Sequence, residues 1–460
     1  MGIVDCLHGA AIRSVFAMWY GKKPFSRYLA ELERAQWWPW QDIQTLQMHK
    51  LETLLQHAYE KVPFYRRRFT ETGILPEDIQ ESHDLSRLPI LTKREIQDNQ
   101  DELLAEGADP SNLTENHTGG STGHPLTFYQ DSNYRAWKDA DLLRNYRMAG
   151  YKLGMRWAFL WGSDYDAREH KGWLGYLKDR SIYNLLWINT FDLSISTLTK
   201  QAEQLVRFKP QILVAYVSSA TLLARLVKEQ AIDDIRPQAI QTSAEILTPD
   251  DRDLLEGTFN CPVFNRYGCR EVSNIAHECE AHSGLHILAE NNLVEIIKGN
   301  GQPAKPGEEG RIVVTNLNNY AMPFIRYDTE DIGVYSDHVC PCGRGLPLLA
   351  AVKGRTADVF TSPSGKLLHG EFFTHLFYKA HGVYQFQVFQ ETLEDLMVRI
   401  VPTPNFKRNS TLSFLEAAIL RHGDPAFRVR FELCDQIPPS PSGKYKFIIS
   451  KVPLKLPVKD

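Results

Sequence analysis

Residues 117–125 form a segment rich in glycine and hydroxyl side chains, a composition that suits a loop around phosphate. Glycine has no Cβ, so the backbone can approach a ligand closely, and backbone N–H groups and hydroxyls can converge on phosphate oxygens. The Gly-Lys-Ser/Thr sequence of the Walker loop is missing, and the segment taken alone also fits an ordinary solvated loop. The candidate phosphate ligands are Thr118, Gly119, Gly120, Ser121, Thr122 and Gly123.

Five further segments carry aromatic, acidic or basic side chains near the predicted ends of strands or domains. They lie at residues 242–245, 267–271, 325–333, 354–358 and 441–444. In the second, the ring of Tyr267 and the carboxylate of Glu271 are four residues apart in one strand-end loop. In the last, Lys444 follows a flexible Pro-Ser-Gly sequence. Any one segment alone is weak evidence, because Asp331 alone fits a solvated surface acid and Lys444 an exposed tail lysine.

The order and content of these segments resemble the acyl-adenylate-forming superfamily, and specifically its phenylacetate–CoA ligase and CapK-like branch, over nearly the whole chain. The matching segments are residues 63–66, 267–271, 278–279 and 442–444. The resemblance implies that a small-molecule carboxylic acid attacks the α-phosphate of ATP, giving an acyl-adenylate and pyrophosphate. The acyl group then passes to a thiol such as CoA. Phosphoryl transfer of this kind depends mainly on positioning and charge neutralisation.

The resemblance also implies a role for each candidate residue. Residues 118–123 would hold the β- and γ-phosphates, and Glu271 would bind Mg²⁺, a hard cation that prefers carboxylate oxygen. Lys444 would swing in and stabilise the charge that develops between the acid and the α-phosphate. Around the nucleoside, the ring of Tyr267 would lie against the adenine. The other residues expected around the nucleoside are Ala244 and Glu245 beside the base, Asp331 at the ribose hydroxyls, and Arg355 alongside it.

Two departures from the pattern concern the loop and the hinge. Many relatives have a lysine shortly after the proline of the phosphate loop, where this chain has Leu126. The hinge of many relatives is an acidic residue two positions after the arginine, where this chain has Ala357, followed by Asp358. These departures keep open a degenerate nucleotide-binding scaffold without turnover. A second alternative is acyl transfer to an amine, as in an amide ligase of polysaccharide or secondary-metabolite biosynthesis.

A second group of residues could bind a metal. Cys279 and His286 are followed some 60 residues later by the C-x-C pair Cys340 and Cys342. Four nitrogen and sulfur ligands in a tetrahedron make a closed structural zinc site. His282 is a reserve ligand, and the alternative is a set of buried cysteines and surface histidines that bind nothing.

The elements that must position these residues follow a strand–helix–strand pattern. The apolar run 212–217 predicts a buried strand, and Ser218 and Ser219 predict the cap of a helix over 220–229. After a strand near 239–241, residues 248–251 predict the start of another helix, and residues 263–265 a further strand. Leucines of residues 51–59 have helical spacing. The alternation predicts a layered α/β domain.

The last hundred residues have a different character, with strands predicted near 386–388, 396–400 and 427–433 and a helix over 411–420. The chain is therefore expected to be an α/β protein with a large layered N-terminal adenylate-forming domain, residues 1–354, and a small mobile α+β C-terminal lid, residues 355–460. A chain of 460 residues exceeds the size of a single core, which agrees with two domains.

The composition limits partners and location. A net charge of −4 with no clustered basic face argues against a nucleic-acid partner. Seven scattered cysteines fit a reducing cytoplasm. Residues 7–20 are apolar but too short to span a bilayer, so we expect a packed helix, with a membrane-surface anchor as the alternative. Composition does not indicate the oligomeric state.

Overall fold

The computed structural model describes residues 24–117, 126–161, 179, 183–190, 195–355, 359–365, 367–369, 373, 376–377, 380–438 and 446–452. Three predicted features lie outside the described residues: the phosphate-loop residues Thr118 to Gly123, the lysine Lys444, and the apolar segment 7–20. Within the described parts, no helix combines the length and hydropathy needed to cross a bilayer.

Residues 24–103 are largely helical. The helices are α1 (Pro24–Ala35), α2 (Trp40–Lys61), α3 (Pro63–Thr72), α4 (Lys93–Asp98) and α5 (Gln100–Leu103). The predicted helix around residues 51–59 is confirmed as part of α2, whose Leu51, Leu54 and Leu55 are fully buried. These leucines pack on the sheet described next, so this region and the sheet share one core.

The next stretch of the chain alternates strands and helices. It comprises β1 (Leu113–His117), β2 (Thr127–Asp131), α6 (Ser132–Met148), β3 (Trp157–Trp161), β4 (Leu185–Asn189), α7 (Ile195–Phe208), β5 (Ile212–Tyr216), α8 (Val217–Glu229), β6 (Ala239–Ser243), α9 (Pro249–Phe259) and β7 (Val263–Cys269). The pair β1 and β2 is antiparallel and flanks residues 118–125. The predicted alternation of strand and helix is confirmed.

A single eleven-stranded sheet changes from parallel to antiparallel pairing at β7. Strands β3 to β7 pair in parallel. Beyond β7 come β8 (Ser273–Glu278), β9 (Leu285–Ile287), β10 (Asn292–Ile297), β11 (Glu309–Asn316), β12 (Tyr327–Ser336) and β13 (Leu348–Arg355), all paired antiparallel. The candidate residues of 267–271 therefore lie where the two halves of the sheet meet.

Two helix starts test the capping predictions. Helix α9 begins as predicted, because the Thr248 hydroxyl accepts a hydrogen bond from the Asp251 N–H and Pro249 is the first helical residue. The prediction for α8 is wrong. That helix begins at Val217, one residue after the strand, and Ser218 and Ser219 lie inside its first turn without capping it. Ser218 donates instead to a carboxylate in the loop after the neighbouring strand β6, as described below.

After residue 358 the described elements are β14 (Val359–Thr361), β15 (Leu367–His369), β16 (Val383–Gln390), β17 (Asp395–Pro402), α10 (Arg408–Ala418), β18 (Arg428–Leu433) and β19 (Ile448–Ser450). Four of these strands form a separate sheet in the order β18-β17-β16-β19. A distinct cluster of buried apolar residues, including Phe386, Val398 and Ile400, covers one face of that sheet. The predicted strands and helix of this region are confirmed, and the segment has the core and sheet of a small α+β unit.

Helix α6 is tied to the antiparallel half of the sheet by buried charges. The Arg144 guanidinium donates to Asp141 at 2.8 Å and to Glu290 at 2.5 Å, and all three side chains are buried. Burial raises the pKa of Asp141 to about 6. Because breaking a buried ion network leaves an uncompensated charge, this contact fixes α6 across the sheet.

Candidate active site

The carboxyl ends of the parallel strands meet along one edge of the sheet. Trp161, Asn189, Tyr216 and Ser243 are the last residues of β3, β4, β5 and β6. In open α/β sheets, ligands bind outside this edge. Strand β7 runs on past its neighbours into the antiparallel half, which brings the residues that follow it alongside the same edge.

The structure brings Tyr267 and Asp331 together. The Tyr267 hydroxyl donates to the Asp331 carboxylate at 2.7 Å and lies 3.3 Å from the hydroxyl of Thr329. Burial, reinforced by the Asp331 charge, raises the pKa of Tyr267 well above its ordinary value, so the phenol keeps the proton that it donates. Two residues 64 positions apart in the sequence thus form one hydrogen-bonded unit on β7 and β12.

Glu271 has a partner that the sequence reasoning missed. The hydroxyl of Tyr327 donates to Glu271 Oε1 at 2.8 Å, and both side chains are buried. Burial and the Glu271 carboxylate raise the pKa of Tyr327 well above its ordinary value, which keeps it a donor. Tyr327 lies inside the acidic segment 325–333, so the signal was present, but only the fold shows that its hydroxyl reaches the turn after β7.

Ala244 and Glu245 follow β6 and lie between β5 and β7. Ala244 has φ +71°, a left-handed backbone that turns the chain sharply at the strand end. The Glu245 carboxylate accepts hydrogen bonds from the Ser218 backbone N–H at 2.6 Å and from the Ser218 hydroxyl at 2.8 Å. Negative charge is stabilised at a helix N-terminus, so Glu245 fixes this loop against the start of α8.

The remaining predicted nucleotide residue is Arg355, the last residue of β13, which pairs in register with Asp331 of β12. This pairing places its backbone beside the Tyr267–Asp331 unit. The hinge candidates Ala357 and Asp358 lie outside the described residues. Gly268 is needed where β7 meets β8, because a Cβ there would come within 2.4 Å of the Ser273 carbonyl oxygen.

The motif at residues 63–66 contacts the segment that leads into β12. Tyr65 is almost fully buried on α3, and its hydroxyl donates to the Pro323 carbonyl and accepts from the Ile325 N–H, both at 3.0 Å. Two residues later, Tyr327 begins the strand that carries the donor to Glu271. The motif is therefore a positioning element for β12.

The four predicted zinc ligands are gathered in one place. The ligand atoms of Cys279, His286, Cys340 and Cys342 all lie within 4.8 Å of one another. The Cys279 and Cys340 sulfurs are 3.5 Å apart, and Cys342 Sγ is 3.3 Å from His286 Nε2. His286 Nδ1 lies 3.2 Å from the Leu346 carbonyl, which orients Nε2 toward the sulfurs. Burial lowers the pKa of His286 to about 4, which favours the neutral ring that a metal requires.

The reserve ligand His282 does not join this cluster. Its Nδ1 lies 3.4 Å from the Glu278 carboxylate, and its ring packs on Phe264 with the ring centres 4.9 Å apart. Glu278 also accepts two hydrogen bonds from Arg252 of α9, at 2.7 and 2.8 Å. The Glu-Cys pair of residues 278–279 thus combines a structural ion pair with one member of the cysteine–histidine cluster formed by Cys279, His286, Cys340 and Cys342.

Comparisons with known proteins agree with this arrangement. Residues 360–451 match the family model of the CapK C-terminal domain. The chain is 26% identical to a phenylacetate–coenzyme A ligase of Thermus thermophilus over 72% of this chain and 74% of that protein. It is 23% identical to protein CapK of Staphylococcus aureus over 89% and 90% of the two chains. Its fold matches a crystal structure of 2-hydroxyisobutyryl-CoA ligase in the postadenylation state with a TM-score of 0.73, covering 91% and 92% of the chains at 19% identity.

The chain has the fold of adenylate-forming CoA ligases, a large sheet domain followed by a small α+β unit. Its sequence is similar to phenylacetate–CoA ligases and to CapK over most of its length, its C-terminal part matches the CapK C-terminal domain, and these relatives support an adenylate-forming ligase. The resemblance inferred from the sequence is confirmed.

The Tyr267–Asp331 unit gives a first prediction. Replacing Asp331 with asparagine keeps an acceptor for the Tyr267 hydroxyl but removes the negative charge, so we expect the KM for ATP to rise about 10-fold, because hydrogen bonds to charged groups contribute more than neutral ones. The matched variant Tyr267→Phe keeps the ring and should change that KM about 3-fold or less. Steady-state kinetics over a range of ATP concentrations measures both. An unchanged KM in Asp331→Asn would exclude Asp331 as a nucleotide ligand.

Proposed function

We propose that this chain activates a carboxylic acid with ATP and transfers the acyl group to a thiol such as CoA. The observation that carries the proposal is the convergence of Tyr267–Asp331 and Glu271–Tyr327 at the strand ends of β7 and β12. In this proposal the Tyr267–Asp331 pair forms the side that binds the nucleoside, and the Glu271–Tyr327 pair forms the charged side that binds the phosphates. The two sides are close because Tyr267 and Glu271 are only four residues apart. The presence of both pairs favours an enzyme with turnover and argues against a degenerate nucleotide-binding scaffold.

The chemistry has two steps. A carboxylate oxygen of the acid forms a bond to the α-phosphorus of ATP, and the bond from that phosphorus to the bridging oxygen of pyrophosphate breaks. The acceptor thiolate then attacks the acyl carbonyl carbon, and AMP leaves with the electron pair of the acyl–oxygen bond. The first step moves negative charge onto the phosphates, so it needs positive groups and N–H donors positioned in advance.

In this proposal the ring of Tyr267 lies against the adenine, which sits between the Ala244–Glu245 loop and Asp331. The Asp331 carboxylate accepts hydrogen bonds from the ribose hydroxyls, and Arg355 lies beside the ribose. Thr118, Gly119, Gly120, Ser121, Thr122 and Gly123 hold the β- and γ-phosphates. Glu271 is the residue for Mg²⁺, since it presents a buried carboxylate and its partner Tyr327 contributes only a proton donor. The ion would neutralise phosphate charge when bound.

The cysteine–histidine cluster is proposed as a structural zinc site. Its three sulfurs and one imidazole nitrogen are the donor set that zinc prefers in closed sites. The cluster joins β8, β9 and the segment before β13, so a bound ion would fasten three neighbouring parts of the antiparallel half. In this proposal the zinc ion has a structural role and takes no part in the two chemical steps above.

We further propose residues 1–354 as the nucleotide-binding domain and residues 355–460 as a lid that brings Lys444 to the α-phosphate. Replacing Lys444 with alanine should lower acid-dependent pyrophosphate release on the order of 10²-fold, because a positive charge is lost from the transition state. Nucleotide binding should change little. Lys446→Ala is the matched control, since it removes a lysine charge two residues away and keeps the backbone carbonyl that accepts from Gln387, and it should keep nearly full activity. Equal activities in the two variants would refute the role of Lys444.

The function itself is tested by a screen of carboxylic acids for ATP-dependent pyrophosphate release, run with and without CoA. We expect release with the correct acid alone and formation of its CoA thioester when CoA is added. A parallel series with amines in place of CoA distinguishes the acceptor: amide formation without thioester formation would support an amide ligase. ATP binding with no turnover on any acid would support the degenerate scaffold.

A further inference from the structure

Arg266 is a half-buried cation without an acidic partner among the described residues. It precedes Tyr267 on β7, and neighbouring residues of a strand point to opposite faces. Its Nε donates to the Ser243 hydroxyl at 3.1 Å, and its guanidinium carbon lies 5.8 Å from the centre of the Trp161 ring. By contrast, the guanidinium groups of Arg144 and Arg252 are each bound by carboxylates.

Aromatic rings border the space in front of this cation. Trp161 and Tyr216 end β3 and β5, and their ring centres are 4.3 Å apart. The guanidinium therefore lies beside an aromatic wall made of two rings inclined at 45° to each other, at the ligand-binding edge of the sheet. A planar molecule that stacks on this wall can place one end at Arg266.

Polar groups on the same face also lack partners. Gln241 lies two residues before Ser243 on β6 and is fully buried, yet neither its amide oxygen nor its amide nitrogen has a hydrogen-bond partner. His277 pairs with Arg266 across β7 and β8 and is fully buried, with Nε2 unpartnered. Buried polar groups without partners indicate a place that a polar ligand or water fills.

We infer that Arg266 binds a second carboxylate of the acid substrate, so that the chain activates flat dicarboxylic acids in preference to monocarboxylic ones. The inference rests on the proposed function. Consecutive residues of a strand are about 3.3 Å apart along the strand, and their side chains point to opposite faces of the sheet. Tyr267, which we place on the nucleotide side, is therefore next to Arg266, which we place on the acyl side. A ring-sized acid with its reacting carboxylate at the α-phosphate then directs its far end toward Arg266. Arginine recognises carboxylate through two parallel hydrogen bonds, which makes it selective for this group.

The test compares matched acids that differ by one carboxylate: benzoate with isophthalate and terephthalate, and phenylacetate with 4-carboxyphenylacetate. In the pyrophosphate-release assay, we expect kcat/KM of the unsubstituted chain to be on the order of 10²-fold higher for the better diacid than for its monoacid. Arg266→Met should lower the diacid value by a similar factor and change the monoacid value less than about 3-fold. Arg266→Lys keeps the charge without the planar fork and should retain part of the preference.

A binding measurement tests the role of Arg266 without requiring that the protein turn over any acid. Isothermal titration of isophthalate and benzoate into the unsubstituted chain and both variants should show tighter diacid binding that Arg266→Met abolishes. Equal losses for monoacid and diacid, or a monoacid preference in the unsubstituted chain, would overturn the inference. Absence of pyrophosphate release with every acid, together with Arg266-dependent diacid binding, would count against the proposed function and support the binding role of Arg266.

Discussion

Replacing Glu271 with glutamine is expected to lower the rate of pyrophosphate release on the order of 10²- to 10³-fold at saturating ATP and acid. The substitution removes one negative charge from the proposed phosphate and magnesium side of the site and changes little else. The amide oxygen of glutamine can still accept the Tyr327 hydrogen bond, which measures 2.8 Å in the structure. The fold should therefore be retained, and the decrease in rate then measures the contribution of the negative charge of Glu271.

The matched control is Tyr327→Phe, which leaves the carboxylate in place and removes only the hydroxyl that holds it. We expect a loss of about 10-fold, because one hydrogen bond to a charged group is lost while the charge remains. Rates should be measured across a range of Mg²⁺ concentrations, and the Mg²⁺ requirement of Glu271→Gln should shift upward. Full activity of Glu271→Gln at ordinary Mg²⁺ would show that the metal is held elsewhere.

Replacing Cys340 with serine is expected to remove bound zinc and to lower the thermal stability of the large domain. Elemental analysis should find about one zinc per chain in the unsubstituted protein and far less in the variant. A ligand that binds only the folded state stabilises it by about 4 kcal/mol when its free concentration is a thousand times its Kd, so the loss of stability should be easily measured. A chelator should lower the Tm of the unsubstituted protein toward that of the variant.

Two variants serve as controls for this experiment. Cys434→Ser replaces a half-buried cysteine outside the cluster, and His282→Ala removes the neighbouring histidine that contacts Glu278. Both should keep zinc and respond to the chelator as the unsubstituted protein does. A preparation without metal that is as stable as the metal-bound protein would show that the four residues form an ordinary buried cluster. Loss of zinc in His282→Ala would show that the ligand set differs from the four residues in contact.

Local patterns determined much of the architecture. The apolar run before Tyr216 specified a buried strand, and Thr248–Pro249 specified the start of α9, because capping and φ preference act within a few residues. The order of the motifs was sufficient to indicate the resemblance to phenylacetate–CoA ligases and CapK that the comparisons also find. The cysteine and histidine spacing also predicted the four members of the cysteine–histidine cluster, since a metal site depends on ligand type and turn geometry more than on the rest of the fold.

Tertiary structure decided which side chains meet. No local rule could predict that Ser218 would donate to Glu245 instead of capping α8, because that carboxylate comes from the loop after the adjacent strand β6. The Tyr327–Glu271 bond joins residues 56 positions apart, and it exists because β7 passes from the parallel to the antiparallel half of the sheet. The same alternation of strand faces leaves Arg266 on the side away from Tyr267. Hydrogen bonds and charges act over a few ångströms in space, so their partners depend on strand order and register, which the sequence near each residue does not contain.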